Sequence, residues 1–577
     1  MNIFLPEMIC AVRKKIILML TLVIVATTVR AQDEGLVEAV RRFTGQADVE
    51  SLHQDLMDSL DELYHRPLDI NSASHSRLHS SGLFTPFQLA SLMDYRQRHG
   101  GVMSLVEFSN IDGFSKDYID RISPFVFIDT DAFRAGFAPR GFSAEVALRA
   151  GYKYYLEKSY DRSTYAIKVK GTYSDKVSFC LSLNEPYDSL RIYPTGGTVN
   201  IAWMHRRGKV IMGSYNARFG QGLCLWNTAS FSSLTSPAAF MKRPSGVSPS
   251  NSFTGSSAMT GFAADYSVGG WMLSALVDFP DLRHAVSKPE KLMISPALNL
   301  TRYGRFGHLS FTHNMAFGNF ISGSFRIPRM VSSIDASSCV RGVNVFGEAA
   351  YDWVLSKPAL LAGCEARTGD IFNMAALVRY LPASNEHGAA FAGEIRHGKH
   401  EEVFSVDCKY DGRDLEKNGA GVFQIKGQVI WNWTLTSFLK LRLRLSERLR
   451  LQENSTKTQL RTEILYEYSK CKATLRYDCL YGRGFASLGY AEAGYVGDVF
   501  AAFARVGLFA IDQWDDRIYV YERDAPGNFN VPAFYGRGVW TSLYLSARLS
   551  GFLRLYLRGI YKKPGNAELK FQCVLRF

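Results

Sequence analysis

ELKFQCVLRF, residues Glu568–Phe577, places apolar side chains at Leu569, Phe571, Cys573, Leu575 and Phe577. Polar ones stand at Glu568, Lys570, Gln572 and Arg576, with Val574 the one exception. Period 2 over ten residues is a strand with one apolar and one wet face. The last edge strand of a soluble sandwich carries the same pattern, so the preceding strands decide between the two.

From Arg140 onward the period stays at 2. Phe142, Ala144, Val146, Leu148, Ala150 and Tyr152 alternate with Ser143, Glu145 and Arg149. Leu439, Leu441, Leu443 and Leu445 face away from Lys440, Arg442 and Arg444; Leu553, Leu555 and Leu557 from Arg554 and Arg558. Cations on one face of long strands and leucines on the other suit a wet lumen inside an apolar wall. Short links at Ser174-Asp175, Arg206–Gly208, Gly269-Gly270 and Gly304-Arg305 alternate with long ones at Glu157–Arg162, Glu185–Gly196, Phe219–Ala258, Pro280–Glu290 and Gly318–Ala336. Tight turns on one side and longer loops on the other are the pattern of outer-membrane barrels, with the tight side periplasmic. Both ends of the chain then face the periplasm and the strand number is even. The expectation is a transmembrane antiparallel β-barrel of about 22–24 strands over residues 140–577, preceded by a small all-α domain. The final strand resembles the closing strand of bacterial outer-membrane barrels. That resemblance implies that Phe577 is part of the signal read by the barrel-assembly machinery, and that the outer membrane and lipopolysaccharide are the surroundings.

The first thirty residues agree. Ile16–Ala26 follows Arg13, Lys14 and Lys15 and is too short to span a bilayer. Val29-Arg30-Ala31 supplies a cleavage site, so residues 1–31 read as a secretory signal peptide. Cys180, Cys224, Cys339, Cys364, Cys408, Cys471, Cys479 and Cys573 form no C-x-x-C and mostly sit within alternating runs. They read as buried or lipid-facing thiols rather than disulfides or zinc ligands. No G-x-S-x-G, H-E-x-x-H or P-loop occurs. The expectation is a non-enzyme with no catalytic residues, no metal and no cofactor. His75 and His79, four residues apart without a carboxylate partner, read as solvated helix residues.

Residues 32–130 read as a periplasmic helical domain, joined to the barrel by a linker at 131–139. Leu52, Leu56, Leu60 and Leu63 form one helical stripe that Pro67 ends. Asn71 and Ser72 supply N-cap chemistry for a helix through Leu78, and further helices run over about Phe87–Arg98, Ser104–Phe108 and Lys116–Ile122. Over Leu68–Val126 the I-N-x-A-S opening, the Y-R-x-x-x-G link and the I-x-G-F-S turn resemble a tandem helix-hairpin-helix module of competence-type DNA receptors. That resemblance implies phosphate binding by the hairpin turns Gly82-Leu83-Phe84 and Gly113-Phe114-Ser115, where helix N-terminal amides favour an anion. Each turn lacks the second glycine of the DNA-binding pattern, and Ser51–Ile128 carries a net charge of −4. An acidic module is a poor DNA clamp. A docking domain for an as yet unidentified periplasmic protein is the leading reading, and DNA the alternative partner.

Phe219-Gly220-Gln221-Gly222-Leu223 resembles an element of outer-membrane proteins that join this helical module to a barrel, a family without an established activity. Gly220 and Gly222 permit a sharp bend, so the link after them reads either as a constriction folded into the lumen or as an ordinary outer loop. Charge divides between the two parts. Residues 32–128 sum to −7 and the segment from Asp129 onward to +17. Lys440, Arg442, Arg444, Arg476, Arg554 and Arg558 fall on the lumen face. Opposite fields on a short tether favour association. The module is expected to dock on the periplasmic mouth as a lid that loosens as salt is raised, over a pore preferring anions. The function expected is a channel or transport-type outer-membrane component. A DNA-uptake component and a structural scaffold of an envelope assembly without an open pore are the alternatives.

Overall fold

The computed structural model describes residues 35–577 except 47, 53, 130–140, 158, 175, 186–195, 206, 228–233, 255–256, 281–292, 305–306, 319–325, 369–370 and 413–420. The expected signal peptide and linker lie outside the described residues.

Among the described residues six α-helices precede the barrel: α1 (Gly35–Thr44), α2 (Gln54–His65), α3 (His75–Ser80), α4 (Pro86–His99), α5 (Leu105–Ser109) and α6 (Lys116–Ile122). Their starts are written locally. The hydroxyls of Ser74, Thr85, Ser104 and Ser115 each accept a backbone N–H three residues on, and Thr85 with Gln88 completes a capping box. The cap of α3 is therefore Ser74, not the expected Asn71 or Ser72. Asn71 instead exchanges hydrogen bonds with the Val102 backbone, joining the two hairpins. Leu83, Phe84, Phe108, Phe114, Tyr118 and Phe125 pack into one core, with a two-residue parallel ladder pairing Leu68-Asp69 with Val126-Phe127.

Among the described residues, twenty-four antiparallel strands run from β1 (Phe142–Tyr155) to β24 (Asn566–Arg576) and close into a barrel, and a short strand, Gly246–Pro249, pairs alongside. Backbone bonds between Ala144 and Phe577, at 2.8 and 3.1 Å, finish the seam. Links on the side of the two chain ends are two to four residues long throughout. Two links expected to be long are shorter. A strand starts at Tyr160, and another at Arg326, where the serine-rich stretch to Ala336 hid the alternation. Leucines, valines and aromatics project outward around the ring, Leu148, Leu273, Leu445 and Leu569 among them, as an apolar wall facing lipid requires. Val574, the exception in the last strand, faces inward and packs with Ala147, Phe253 and Ala525.

The lumen is filled. The helical module lies in its short-turn half, inside the wall and deeper than a lid on the mouth. Met272 and Tyr303 of the wall join its core. From the opposite half two loops fold inward, formed by the described residues of 219–258 and by 512–535. The first packs Phe240 and Met241 on Phe346, Leu361 and Leu377; the second packs Ile518, Val520 and Phe534 on Leu488, Phe509 and Trp540. The loops meet the module: Arg243 stacks on Phe43 and Tyr118, and the Phe529 N–H donates to Gln54.

Candidate functional site

The turn joining α1 to α2 carries Asp48 and Glu50, and three neighbouring wall strands meet it. Arg444 stands on Leu439–Arg450, Arg461 on Ser455–Tyr468 and Arg476 on Cys471–Tyr481. The ladder sets Arg444 directly opposite Arg461, and Arg461 opposite Asp478. Like charges directly opposed destabilise a sheet unless an anion lies between them. Asp48 is that anion. One of its oxygens pairs with Arg444, and the other lies 3.1 Å from Arg461. Glu50 bridges next, accepting from Arg461 at 3.2 Å and from Arg476. Asp478 completes the network from the wall, 2.8 Å from Arg461 and 2.6 Å from Arg476. Burial works to raise the Glu50 carboxyl, but Arg476 and Arg461 hold it well below the usual carboxylate range.

Nearer the short-turn rim the N-terminus of α6 is clamped. Asp117 pairs with Arg367 at 3.0 Å and also with Arg396, while Ser115 accepts from Arg367. The second hairpin turn therefore meets arginines where the DNA-binding pattern would hold a phosphate. In the first, Gly82 abuts Ser245 of the inward loop, and Leu83 and Phe84 are buried. Phe84 stands at the second-glycine position of the first turn and packs in the core on Phe114, while Ser115, at that position in the second turn, caps α6. Of the remaining expected lumen cations, Arg442 lies 3.2 Å from Glu463, and Arg558 pairs with Glu522 and Asp524 of the second inward loop at 3.0 and 2.7 Å. Lys440 is exposed near the short-turn end and Arg554 half-buried there. Arg461, Arg367 and Arg396 were not singled out from the sequence. Their strand parity marks them as lumen-facing, but only register shows what they oppose.

α3 is not solvated as its histidines suggested. His79 is buried, and the His75 and His79 rings pack edge-on to Tyr303 at 5.0 and 6.3 Å. Beside them Ser76 donates to Asp265 at 2.8 Å, and Asp265 pairs with Lys209 at 2.9 Å. Burial, outweighing the attraction of Asp265 and aided by Lys209 and Arg96, brings His75 down to about 4. Burial, with His75, Lys209 and His308 nearby, puts His79 well below its ordinary value. Both rings are thus neutral when docked and free to protonate when released. Docking stability from them is full above about pH 6.5 and lost as pH falls toward 4, up to about 3 kcal/mol for His75. Asp58 in α2 acts oppositely. Burial pushes it up to about 6, so its contribution grows as pH falls from 6 toward 4. Protease protection of the module in reconstituted protein is therefore expected to weaken from pH 7.5 to 5. Substituting His75→Gln and His79→Gln should flatten the response, and Asp58→Asn should steepen it. An unchanged profile in the double histidine variant would contradict this assignment.

The glycine-marked bend packs against the inward-facing Glu348 of the wall. Gly220 at φ 58° and Gly222 at φ 89° turn three amides within residues 221–224 toward Glu348 on the wall strand Val343–Asp352. Glu348 accepts from Gln221 N–H at 2.7 Å, Leu223 N–H at 3.1 Å and Cys224 N–H at 3.3 Å, an anion nest. A Cβ on Gly220 would stand 2.8–3.0 Å from that carboxylate. The F-G-Q-G-L run is thus a latch for the inward loop. His308, Asp335 and Ser337 also form a hydrogen-bonded trio on the lumen face, at 2.5 and 2.8 Å. All three are buried, so no substrate carbonyl reaches the Ser337 hydroxyl in this conformation.

No family model matches the chain, and no curated protein matches it. Among solved structures it is similar to the siderophore receptor PirA from Pseudomonas aeruginosa, at 6% identity over 76% of this chain and 81% of that one, with a TM-score of 0.40. It is similar also to the copper transporter OprC, at 8% identity over 77% and 82% of the two chains and a TM-score of 0.41. The translocation pore of the P pilus usher PapC is another, at 7% identity, 75% and 99% coverage and a TM-score of 0.38.

Proposed function

We propose that this chain is a gated transport barrel of the outer membrane, closed by its own helical module acting as a plug. The observation that carries this reading is the Arg444–Arg461 opposition on the wall, neutralised by Asp48 of the module. A barrel serving only as a scaffold has no need of a like-charged pair on its inner wall that a separate domain must quench. The short-turn side, which holds the module and both barrel ends, is taken as periplasmic. Phe577 serves as the assembly signal, and lipopolysaccharide contacts the opposite rim. The Asp117 carboxylate and the Ser115 hydroxyl at the N-terminus of α6 hold the module to wall arginines in this reading. A periplasmic protein that reaches the module would act on it through the short-turn mouth. DNA retention by the hairpins would require the module to leave the barrel first.

In cells, barrel lacking residues 32–130 is expected to admit large hydrophilic antibiotics that the full chain keeps out. Unaltered sensitivity, with the truncated barrel assembled at normal levels, would count against the plug.

A further inference from the structure

The wall beside Asp48 and Glu50 carries more positive charge than its own strands balance. Arg442, Arg444, Arg461 and Arg476 converge there from three adjacent strands, while the wall contributes Glu463 and Asp478. The module supplies Asp48 and Glu50, and Arg442 also has Glu38 of the module and Glu401 of the wall nearby, which still leaves the four arginines facing three wall carboxylates. Arg444 is 6% exposed, and its Nε has no hydrogen-bond partner even in the docked state. Arg476 is held in place by Asp478 and by the Tyr490 ring, 5.8 Å away, so the block is preorganised. The adjoining Arg505 differs in having a partner on the wall itself, Glu492 at 2.6 Å, which it shares with Arg523 of the second inward loop at 3.1 Å.

We propose that this arginine block is a binding site for a small soluble polyanion bearing clustered phosphate or carboxylate groups. In the closed state Asp48 and Glu50 occupy it as stand-ins for that ligand. The inference rests on the plug reading, because the block is reached only when the α1–α2 turn withdraws.

The chemistry follows from the geometry. Guanidinium groups present forked donors to planar or tetrahedral oxyanions, and charge-assisted bonds of this kind are about twice as strong as neutral ones. Asp48 bridges Arg444 and Arg461, and Glu50 bridges Arg461 and Arg476, so two linked anionic groups reproduce what the turn supplies. A single monoanion satisfies only one of these bridges. The Tyr521 N–H, which donates to Glu50 at 3.3 Å, adds a neutral donor from the second inward loop. A ligand of this class arriving in the lumen competes directly with the turn that closes it, coupling recognition to opening through one set of arginines.

The test uses the full chain in nanodiscs, with inorganic tripolyphosphate as probe and calorimetry as readout. Removing the internal competitor with Asp48→Asn and Glu50→Gln is expected to tighten tripolyphosphate binding by about tenfold or more over the unmodified chain. Adding Arg444→Gln and Arg461→Gln to that variant should abolish the gain, and orthophosphate should bind more weakly than tripolyphosphate. On the unmodified chain, tripolyphosphate should increase protease cleavage of the module beyond sodium chloride of equal ionic strength. Equal binding by the unmodified and Asp48→Asn/Glu50→Gln chains would overturn the proposal, as would a gain that survives loss of the arginines. Resistance of the folded barrel to detergent on unheated gels separates these outcomes from misfolding. Failure here would leave the permeability of the barrel lacking residues 32–130 untouched, so the plug reading stands or falls separately.

Discussion

Liposomes containing protein that lacks residues 32–130 are expected to conduct ions, while those with the full chain stay closed. The module fills the short-turn half of the lumen, and nothing else among the described residues occupies the space around Arg461 and Arg476 except the rim of the second inward loop. Barrels of 16–18 strands already leave an aqueous channel when unplugged, and diameter grows with strand number. An emptied barrel of twenty-four strands should therefore reach porin-like conductance or more, from a baseline near zero. The inward loops keep their own apolar footing on the wall, so they narrow this pore without sealing it. Removing the module also uncovers the wall arginines, and the current should favour anions. A folded, truncated barrel that stays silent, or one that favours cations, would contradict the assignment.

Substituting Arg461→Glu is expected to have the next largest effect. Its guanidinium lies within 3.2 Å of Asp48, Glu50 and Asp478, and it is almost wholly buried. Losing one partner of a buried pair costs about 3–5 kcal/mol, and reversing its charge places a fourth carboxylate among three. At about 1.4 kcal/mol per tenfold, the released form should rise by more than about a hundredfold. Limited proteolysis from the short-turn side should then cleave the module at rates far above those of the unmodified protein. Restoring neutrality with Asp48→Asn and Glu50→Gln in the same chain should recover part of the protection. A module as protected in the Arg461→Glu variant as in the parent would show that this cluster does not hold it.

The barrel was legible in the sequence because membrane strands write their two solvents into alternate residues. The terminal strand shows this in ten positions, and its one irregularity, Val574, marks where the loop carrying Phe253 and the one carrying Ala525 press on the inner wall. The attraction between module and barrel was legible as a charge split, but its depth was not. Net charge says that two bodies attract, whereas seating one inside the other depends on the bore that twenty-four strands create and on register. Arg461 shows the difference. Parity places it in the lumen, and only the ladder sets it against Arg444. The expected loosening with salt falls for the same reason: these pairs are buried, and screening acts weakly on buried charges. His75 and His79 were misread because nothing in a short polar helix announces that a tyrosine from a distant strand will cover it.

The claim on which the rest depends is that the module sits inside its own barrel. Ser76 of α3 touches Asp265 of the strand Met259–Val268 through a 2.8 Å hydrogen bond, so a short bis-methanethiosulfonate reagent, whose links reductant cleaves, should join cysteines at the two positions. With a protease site inserted in residues 130–140, cleaved Ser76→Cys/Asp265→Cys protein treated with it in intact membranes should run as one species until reductant is added. Conductance after cleavage should appear only on reduction. Release of the module without reductant, in barrel that is folded and cleaved, would place it outside the lumen and contradict the account.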